Sequence, residues 1–385
     1  MKKSNFKETI VFLLTVSLLC IFTCSRNKPQ PKADRLSKFA LSVQRKEIIR
    51  KINDLKEMLS VRDTVRLETS KESLIGYITK ACKHPKGYLI LDSQVAKKVY
   101  LFDKHGKFIS VLGGIGRGPS EYTDPKDIAV SPQGDCYVLD SRQRKIVVYD
   151  VDCNYKKLIR LHDLNIYPSG FSIIKKETAV FYNLHPDFGR NVNNDKIIIA
   201  DVSGGKCKVL NHFGKQETLL KKLFYDMGSY HVTENGIVWI ANVFDLGINI
   251  FNINGELLKE ETGHIKLTPK PHINPEAMGR FNRPSESLDT YYSLTGLRNM
   301  AYLDSLVIAY YGNTNRHEYY CMIFDYTGEP LLPGVITTEN MIPGLIVGFN
   351  HNELYCSVVS EQSGKTFANT PNPFLVVYNL KPDIE

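Results

Sequence analysis

One segment occurs twice in succession, and this repeat restricts the possible folds of the chain more than any other feature. The first copy covers residues 87–113 and the second covers residues 134–161, with Asp140 standing 48 residues after Asp92. In each copy an apolar strand ends in Leu-Asp-Ser, a polar turn follows, and a second strand ends in an aromatic residue and Asp before a third strand. A meander of this kind cannot bury both of its faces alone, so the repeat predicts several copies stacked side by side.

The rest of the chain contains four further meanders, which brings the predicted number of blades to six. They cover residues 178–213, 236–262, 306–331 and 353–380, and the last of them lacks an outer strand. Residues 63–69 (DTVRLET) alternate apolar and polar side chains, as a half-buried strand does. We therefore predict an all-β, six-bladed β-propeller whose ring is closed when residues 63–69 pair with the last blade.

An aromatic residue followed by Asp or Asn ends the second strand in five of the six blades, as at Asp103, Asp150 and Asn252. We expect the aromatic side chain to fill the space between neighbouring blades. The Asp or Asn side chain should bind the backbone of the turn that follows. Because these residues recur once per blade on the outside of the ring, they do not predict a metal site.

Residues 1–23 have the pattern of a bacterial export signal, in which lysines precede an apolar run too short to span a bilayer comfortably. Residues 21–24 (IFTC) resemble a lipobox, in which cleavage before Cys24 is followed by lipidation of its thiol, although Thr23 replaces the usual smaller residue. An uncleaved N-terminal anchor and plain secretion are the alternatives, and all three place the rest of the chain outside the cytoplasm. Because no acidic run follows Cys24, we favour an outer-membrane lipid anchor that faces the periplasm.

Three segments follow the signal. Residues 24–35 are polar and contain prolines, which predicts a tether. Residues 36–60 carry apolar side chains at steps of mostly three or four, with Lys and Arg between them, which predicts a short amphipathic helix. Such a helix suits a membrane surface or a partner, but Glu47 and Asp54 interrupt its positive face, so we favour a cap or spacer of the propeller. Residues 61–385 form the predicted propeller.

Charge and cysteine spacing exclude two classes of protein. The formal net charge is +8, but no arginine-rich run or dense basic block occurs, so no nucleic-acid partner is predicted. The eight cysteines include no Cys-x-x-Cys pair and no Cys/His spacing that is typical of zinc. Their even number permits disulfides in an oxidising compartment, whereas buried thiols are commoner within apolar strands.

The segment that joins the two copies, residues 113–122, is rich in glycine but does not fit a phosphate-binding loop. Pro119 stands where a dinucleotide fingerprint needs glycine, and a strand rather than a helix follows. This segment, with DPKDIAV and GDCYVLD after it, resembles the six-bladed β-propeller lipoproteins of Bacteroides-type bacteria, which are similar to NHL-repeat propellers. The resemblance covers residues 75–161 and implies the fold and an envelope location. Within the segment, Arg117 and Glu121 either pair with each other or contact a ligand.

Two long inserts interrupt the repeat, at residues 185–194 and 264–292. Propeller loops of this length usually lie at one face and carry the specific function. The inserts contain Arg and aromatic side chains, which dominate recognition sites because they bury large areas and make directed contacts. The candidate binding residues, besides Arg117 and Glu121, are Phe188, Arg190, His272, Arg280, Phe281 and Arg283. We therefore predict a non-catalytic envelope lipoprotein that binds a protein or glycan ligand at the propeller mouth.

An envelope enzyme is the alternative function. The resemblance to NHL-like lyases and lactonases implies a metal in the central channel, which requires three or more His, Asp or Glu side chains that point to one axis. No pair of histidines has the spacing of metal ligands, and we interpret the histidines between meanders as solvated loop residues: His84, His185, His231, His272 and His351. We therefore predict no catalytic residue, no cofactor and no metal.

Overall fold

The predicted six-bladed β-propeller is confirmed, because the described residues form six four-stranded antiparallel sheets and one small two-stranded sheet. The computed structural model of the protein describes residues 43–52, 55–164, 166, 168–174, 177–183, 195–215, 229–233, 236–241, 247–262, 296–313, 318–337, 345–358, 372–382 and 384. Each four-stranded sheet is one blade, and its strands follow one another from the inside of the ring to the outside.

The first strand of the chain, β1, covers Leu59–Arg66 and is the outer strand of blade six. Blade one consists of β2 to β5: Lys80–His84, Gly87–Asp92, Lys98–Asp103 and Phe108–Leu112. The short parallel strands β6 and β7 follow: Gly114–Ile115 and Glu121–Tyr122. Blade two consists of β8 to β11: Pro125–Val130, Cys136–Asp140, Lys145–Tyr149 and Tyr155–Arg160. Blade three consists of β12 to β15: Pro168–Ile174, Thr178–Asn183, Asp195–Asp201 and Lys208–Lys215.

The second half of the chain forms the other three blades. Blade four consists of β16 to β19: Ser229–Val232, Ile237–Ala241, Gly247–Asn252 and Leu257–Thr262. Blade five consists of β20 to β23: Gly296–Leu303, Leu306–Asn313, Glu318–Asp325 and Pro330–Thr337. Blade six consists of β24 to β26 and β1, with the new strands covering Leu345–Phe349, Leu354–Val358 and Phe374–Leu380.

Each blade has an inner strand besides the three strands of the predicted meander. The second strand of blade one is buried along its whole length, whereas the inner strand β2 alternates buried and partly exposed residues. In blade three the inner strand β12 contains mainly half-buried residues. These strands border the central channel on one side, so they lack the continuous apolar pattern by which the other strands are recognised in the sequence.

The ring is closed by β1, which pairs antiparallel with β26 from Leu59 opposite Leu380 to Arg66 opposite Phe374. Sequence analysis placed this strand at residues 63–69, so its observed start is four residues earlier and its end three residues earlier. The alternating pattern marked only the second half of the strand. A bulge between Val61 and Asp63 interrupts the alternation, and only the pairing with β26 extends the strand back to Leu59.

The predicted continuous helix over residues 36–60 is wrong for the part that the structure describes. Helix α1 covers Val43–Ile49, a 3-10 helix covers Leu55–Glu57, and Leu59 already belongs to β1. Residues 36–42, like the signal and the tether, lie outside the described part of the chain. The pairing with β26 and burial of Leu55 in the core of blades five and six outweigh the local helical periodicity.

Helix α1 packs on blade five, as the favoured cap interpretation implies. Ile49 is fully buried in the core that blades five and six share. Arg45 Nη2 lies 2.8 Å from Asp304 Oδ2, and Lys46 Nζ lies 2.8 Å from Asp325 Oδ2. A further 3-10 helix covers His162–Leu164. Within the described ranges, no helix is both long and apolar enough to cross a membrane.

The aromatic and Asp or Asn residues at the strand ends have the roles that the sequence predicts. Phe102 and Tyr149 are buried between blades. Asp103 Oδ1 accepts hydrogen bonds from the backbone N–H groups of His105 and Lys107, at 2.8 and 2.9 Å. Equivalent bonds hold the turns after Asp150, Asn252 and Asp325. The six cysteines in the described part of the chain are all free thiols.

Candidate functional site

The two faces of the ring differ in their connections. Each blade has four antiparallel strands, an even number, so every inner strand begins at one face, here called the connection face, and ends at the other, the turn face. Connections at the turn face are short: Pro85 and Lys86 join β2 to β3, and Asp304 and Ser305 join β20 to β21. Helix α1 binds the turns of blade five, so it lies at the turn face.

Both predicted inserts leave the blades at the connection face. Residues 185–194 join β13 to β14, and residues 264–292 lie between β19 and β20. Strands β13 and β19 end at this face, and strands β14 and β20 begin there. The inserts lie outside the described residues, and with them the candidates Phe188, Arg190, His272, Arg280, Phe281 and Arg283.

The glycine-rich segment, residues 113–122, joins blades one and two at the connection face. Gly113 has a φ of 66°, which agrees with the predicted need for positive φ in an inter-blade connection. Glu121 Oε2 accepts a hydrogen bond of 2.7 Å from the backbone N–H of Gly118. Across the described ranges no ion pair joins Glu121 to Arg117, which is exposed. Glu121 therefore holds the turn together and leaves Arg117 facing solvent.

A cavity of about 500 Å³ occupies the central channel between the inner strands. Its lining includes residues from the inner strands of all six blades, among them Lys80, Ile128, Ser172, Tyr230, Met300 and Phe349. A second cavity of about 660 Å³ lies beside the turns after β2 and β8. The two cavities share five lining residues: Lys83, Val130, Ser172, Ile173 and Val232. The channel therefore continues from its centre towards the turn face.

An ion pair crosses from blade one to blade two inside this channel. Lys80 Nζ lies 2.5 Å from Asp127 Oδ1. The carboxylate of Asp127 also accepts hydrogen bonds of 2.8 Å from the backbone N–H groups of Ile128 and Phe171. Burial alone would lower the pKa of Lys80, but the attraction of Asp127 outweighs it and raises this pKa above its usual value. Lys80 is thus charged at neutral pH, and its contact with Asp127 fixes its position.

Two tyrosines from blades three and four stack beside this ion pair. The rings of Tyr182 and Tyr230 are 5.3 Å apart and nearly parallel, at 6°. The hydroxyl of Tyr230 lies 3.1 Å from Ser172 Oγ. A Cβ at Gly170 would lie 3.2 Å from Asp127 Oδ2 and 3.4 Å from the ring of Tyr230, which places the ion pair and the stacked rings close together. Burial raises the pKa of Tyr230 well above its usual value, so its hydroxyl stays neutral.

His231 borders the channel on the side of blades five and six. Its ring stacks on Tyr302 with centroids 4.8 Å apart and meets Phe349 edge-on at 5.2 Å. Burial lowers the pKa of His231 to about 3, so the imidazole is neutral. Its Nε2 atom is buried and has no hydrogen-bond partner among the described residues. The interpretation of His231 as a solvated loop residue is therefore wrong.

The other histidines considered in the sequence analysis do not form a metal site with His231 among the described residues. His84 is buried, and its Nδ1 atom accepts a hydrogen bond of 3.1 Å from the backbone N–H of Lys86, so it too is no solvated loop residue. His351 is exposed and lies 6.0 Å from Tyr302. In the ranges that the structure describes, no group of three or more His, Cys, Asp or Glu side chains could hold a metal ion. The two other histidines considered, His185 and His272, lie outside those ranges.

Sequence reasoning missed the ion pair of the channel and the hydroxyl groups near it. Lys80, Asp127, Ser172 and Tyr230 stand on the inner strands of four different blades, and no short motif contains any two of them. The only sequence signal was indirect, because DPKDIAV marked the inner strand that carries Asp127. Their proximity depends on how the ring closes rather than on local spacing.

The fold and the channel define a class of protein: a six-bladed β-propeller with a cavity on its axis. Within that class, the chain belongs to the family described as "Domain of unknown function (DUF4934)", whose pattern matches residues 50–375. No curated protein matches this chain.

Solved structures of bacterial proteins share the fold. A Bacteroides fragilis protein named as a candidate exported protein is 15% identical, with a TM-score of 0.61 over 85% of this chain and 97% of that chain. A DUF4221 family member from Bacteroides vulgatus is 8% identical, with a TM-score of 0.61 over 86% and 99%. Virginiamycin B lyase of Staphylococcus aureus is 12% identical over 82% and 83%, and its TM-score of 0.47 is too low to bear on function.

Proposed function

We propose that this protein is a non-catalytic binding propeller of the cell envelope, whose protein or glycan ligand is recognised at the connection face. The observation that carries the proposal is the asymmetry of the ring. Short, hydrogen-bonded turns and helix α1 occupy the turn face, whereas both long inserts leave from the connection face. Extra chain at one face of a rigid scaffold is the usual arrangement of a recognition surface.

The envelope part of the proposal rests on the N-terminal sequence. Residues 1–23 have the pattern of an export signal, Cys24 stands where a lipobox requires it, and a structural neighbour is named as a candidate exported protein. We propose that Cys24 carries the lipid that anchors the protein in the outer membrane, facing the periplasm. Cys24→Ala should move the protein out of membrane fractions or leave its signal uncleaved. A variant that is still processed and acylated would rule out this anchor.

The binding part is tested with two double variants that each remove two positive charges. Arg280→Ala with Arg283→Ala changes the longer insert. Lys104→Ala with Lys107→Ala changes an exposed turn at the turn face and serves as the matched control. Cross-linking in intact cells, followed by quantitative identification of the cross-linked species, should show a partner that the first variant recovers at least about tenfold less, roughly 1.4 kcal/mol of binding free energy.

The control must recover that partner as the unchanged protein does. Equal recovery of every partner by both variants would remove the insert from consideration. A lyase or lactonase would need converging metal ligands, which the described residues do not supply. Metal analysis of the purified protein distinguishes the two functions, because stoichiometric bound metal would favour the enzyme.

A further inference from the structure

We propose that the central channel is a second binding site, separate from the connection face, which takes a small uncharged saccharide. The proposal rests only on described residues and does not depend on the inserts. The cavity of about 500 Å³ is within the usual size range of small-ligand sites, about 300–1,000 Å³. What its walls offer to a ligand is set by four side chains: Lys80, Ser172, Tyr230 and His231.

Lys80 supplies hydrogen-bond donors that the protein does not use. An ammonium group has three N–H bonds. Its only hydrogen-bond or ion-pair partner among the described residues is Asp127, at 2.5 Å. The carboxylate of Asp127, by contrast, already accepts from Lys80 and from two backbone N–H groups. The ion pair therefore presents donors to the cavity, and a ligand there should carry oxygen acceptors.

The same ion pair selects against charged ligands. Lys80 and Asp127 neutralise each other, and Lys83 is directed to Glu353 and to the ring of Tyr88. Tyr230 keeps its proton and His231 is neutral, and the two lysines of the lining, Lys80 and Lys83, each lie beside a carboxylate. An anion bound to Lys80 would lie close to the carboxylate of Asp127, which costs Coulomb energy in a partly buried site. A hydroxyl or carbonyl oxygen avoids this cost.

The remaining groups can both donate and accept, as a ligand rich in hydroxyls requires. The hydroxyls of Ser172 and Tyr230 bond to each other and use only one of their two hydrogens, so one donor is left. The buried Nε2 atom of His231 has no described partner and borders the same cavity. The rings of Tyr182 and Tyr230 also line the cavity and add apolar surface beside these polar groups.

The test measures binding of three neutral sugars: glucose, galactose and N-acetylglucosamine. Glucuronate and galacturonate are the negatively charged analogues with which glucose and galactose are compared. Saturation-transfer NMR and calorimetry on the purified protein should show that at least one neutral sugar binds. Where glucose or galactose binds, its uronate should bind at least about fivefold more weakly. The binding should be unchanged in the Arg280→Ala, Arg283→Ala variant, which keeps this test distinct from the test of the connection face.

Two channel variants locate the site. Lys80→Met and Tyr230→Phe should each weaken sugar binding at least about fivefold, whereas Tyr155→Phe, on an exposed residue of an outer strand, should leave it unchanged. If Lys80→Met does not fold, Ser172→Ala replaces it. The proposal is overturned if no neutral sugar of the panel binds, if a uronate binds more tightly than its neutral sugar, or if folded channel variants bind as the unchanged protein does.

Discussion

Val65 is paired with Leu375 across the ladder between β1 and β26, so the first and last strands of the propeller belong to the same blade. Val65 is 2% exposed and packs in the core between blades six and one, whereas Val61 on the same strand is 59% exposed. The strand thus closes the ring both by its backbone hydrogen bonds and by two buried side chains, Leu59 and Val65.

This contrast predicts the effect of a charge at each position. Val65→Asp would bury an unpaired carboxylate, and we expect the free energy of unfolding to fall by about 3 kcal/mol or more. Val61→Asp faces solvent on the same strand and should cost about 1 kcal/mol or less. Denaturant titration followed by circular dichroism measures both. Equal transition midpoints for the two variants would show that β1 does not hold the ring closed.

Helix α1 provides a second test at the turn face. Asp325 has a fully buried side chain, and Lys46 lies 2.8 Å from its Oδ2 atom. Lys46→Met removes the positive partner of this carboxylate and should lower the free energy of unfolding by about 3 kcal/mol. Lys51→Met, at an exposed lysine just after the helix, is the control and should change it by about 0.5 kcal/mol or less.

The effect of Lys46→Met should also depend on pH. Burial alone would raise the pKa of Asp325, but the bonds from Lys46 and Thr327 outweigh it and lower this pKa below 3.8. A group whose folded-state pKa is lowered adds stability above its unfolded pKa, and that stability is lost as the pH falls through the folded value. The difference in the free energy of unfolding between the unchanged protein and Lys46→Met should therefore be largest at pH 7 and should decrease below about pH 4. A difference that does not vary with pH would contradict this account.

His231 should make the protein sensitive to acid in a higher pH range. Its pKa is about 3 in the folded protein against 6.5 ordinarily, so the unfolded chain takes up a proton that the folded chain does not. Stability from this residue is complete above pH 6.5 and is lost progressively as the pH falls towards 3. His231→Phe keeps an aromatic ring and should reduce the loss of unfolding free energy between pH 7 and pH 4 by about 3 kcal/mol. His105→Phe, in an exposed turn, is the control variant that also replaces an imidazole by a phenyl ring.

The two adjacent glycines after blade one should respond differently to alanine. Gly113 has a φ of 66°, and a Cβ there would clash with the hydroxyl of Tyr149 and the carbonyl of Ser120. A Cβ at Gly114 would have no other atom within 4 Å. Gly113→Ala should therefore lower the free energy of unfolding by about 2–4 kcal/mol, and Gly114→Ala by less than about 1 kcal/mol. Thermal melting of both variants checks this, and equal melting temperatures would contradict it.

Much of the fold could be predicted because its signals are local. A strand buried on both faces is recognised in the sequence as a run of apolar residues. A turn is recognised by the Asp at its start, because the carboxylate accepts hydrogen bonds from backbone N–H groups two and four residues later. The number of blades followed from counting these units. The Leu-Asp-Ser motif was recognised as a strand end, but the bonds from Gly76 and Tyr77 to Asp92 were not foreseen, because these donors lie in the segment before the inner strand β2.

The sequence by itself therefore determined the repeat, the six blades and the need for a closing strand, because each depends on periodicity and turn chemistry within a few residues. Only the tertiary structure decided where β1 begins, since Leu59 is a strand residue through its pairing with Leu380. It alone also decided the channel site, because Lys80, Asp127 and Tyr230 come from three blades and meet only when the ring closes. Long-range contacts of this kind leave no spacing in the sequence by which they could be recognised.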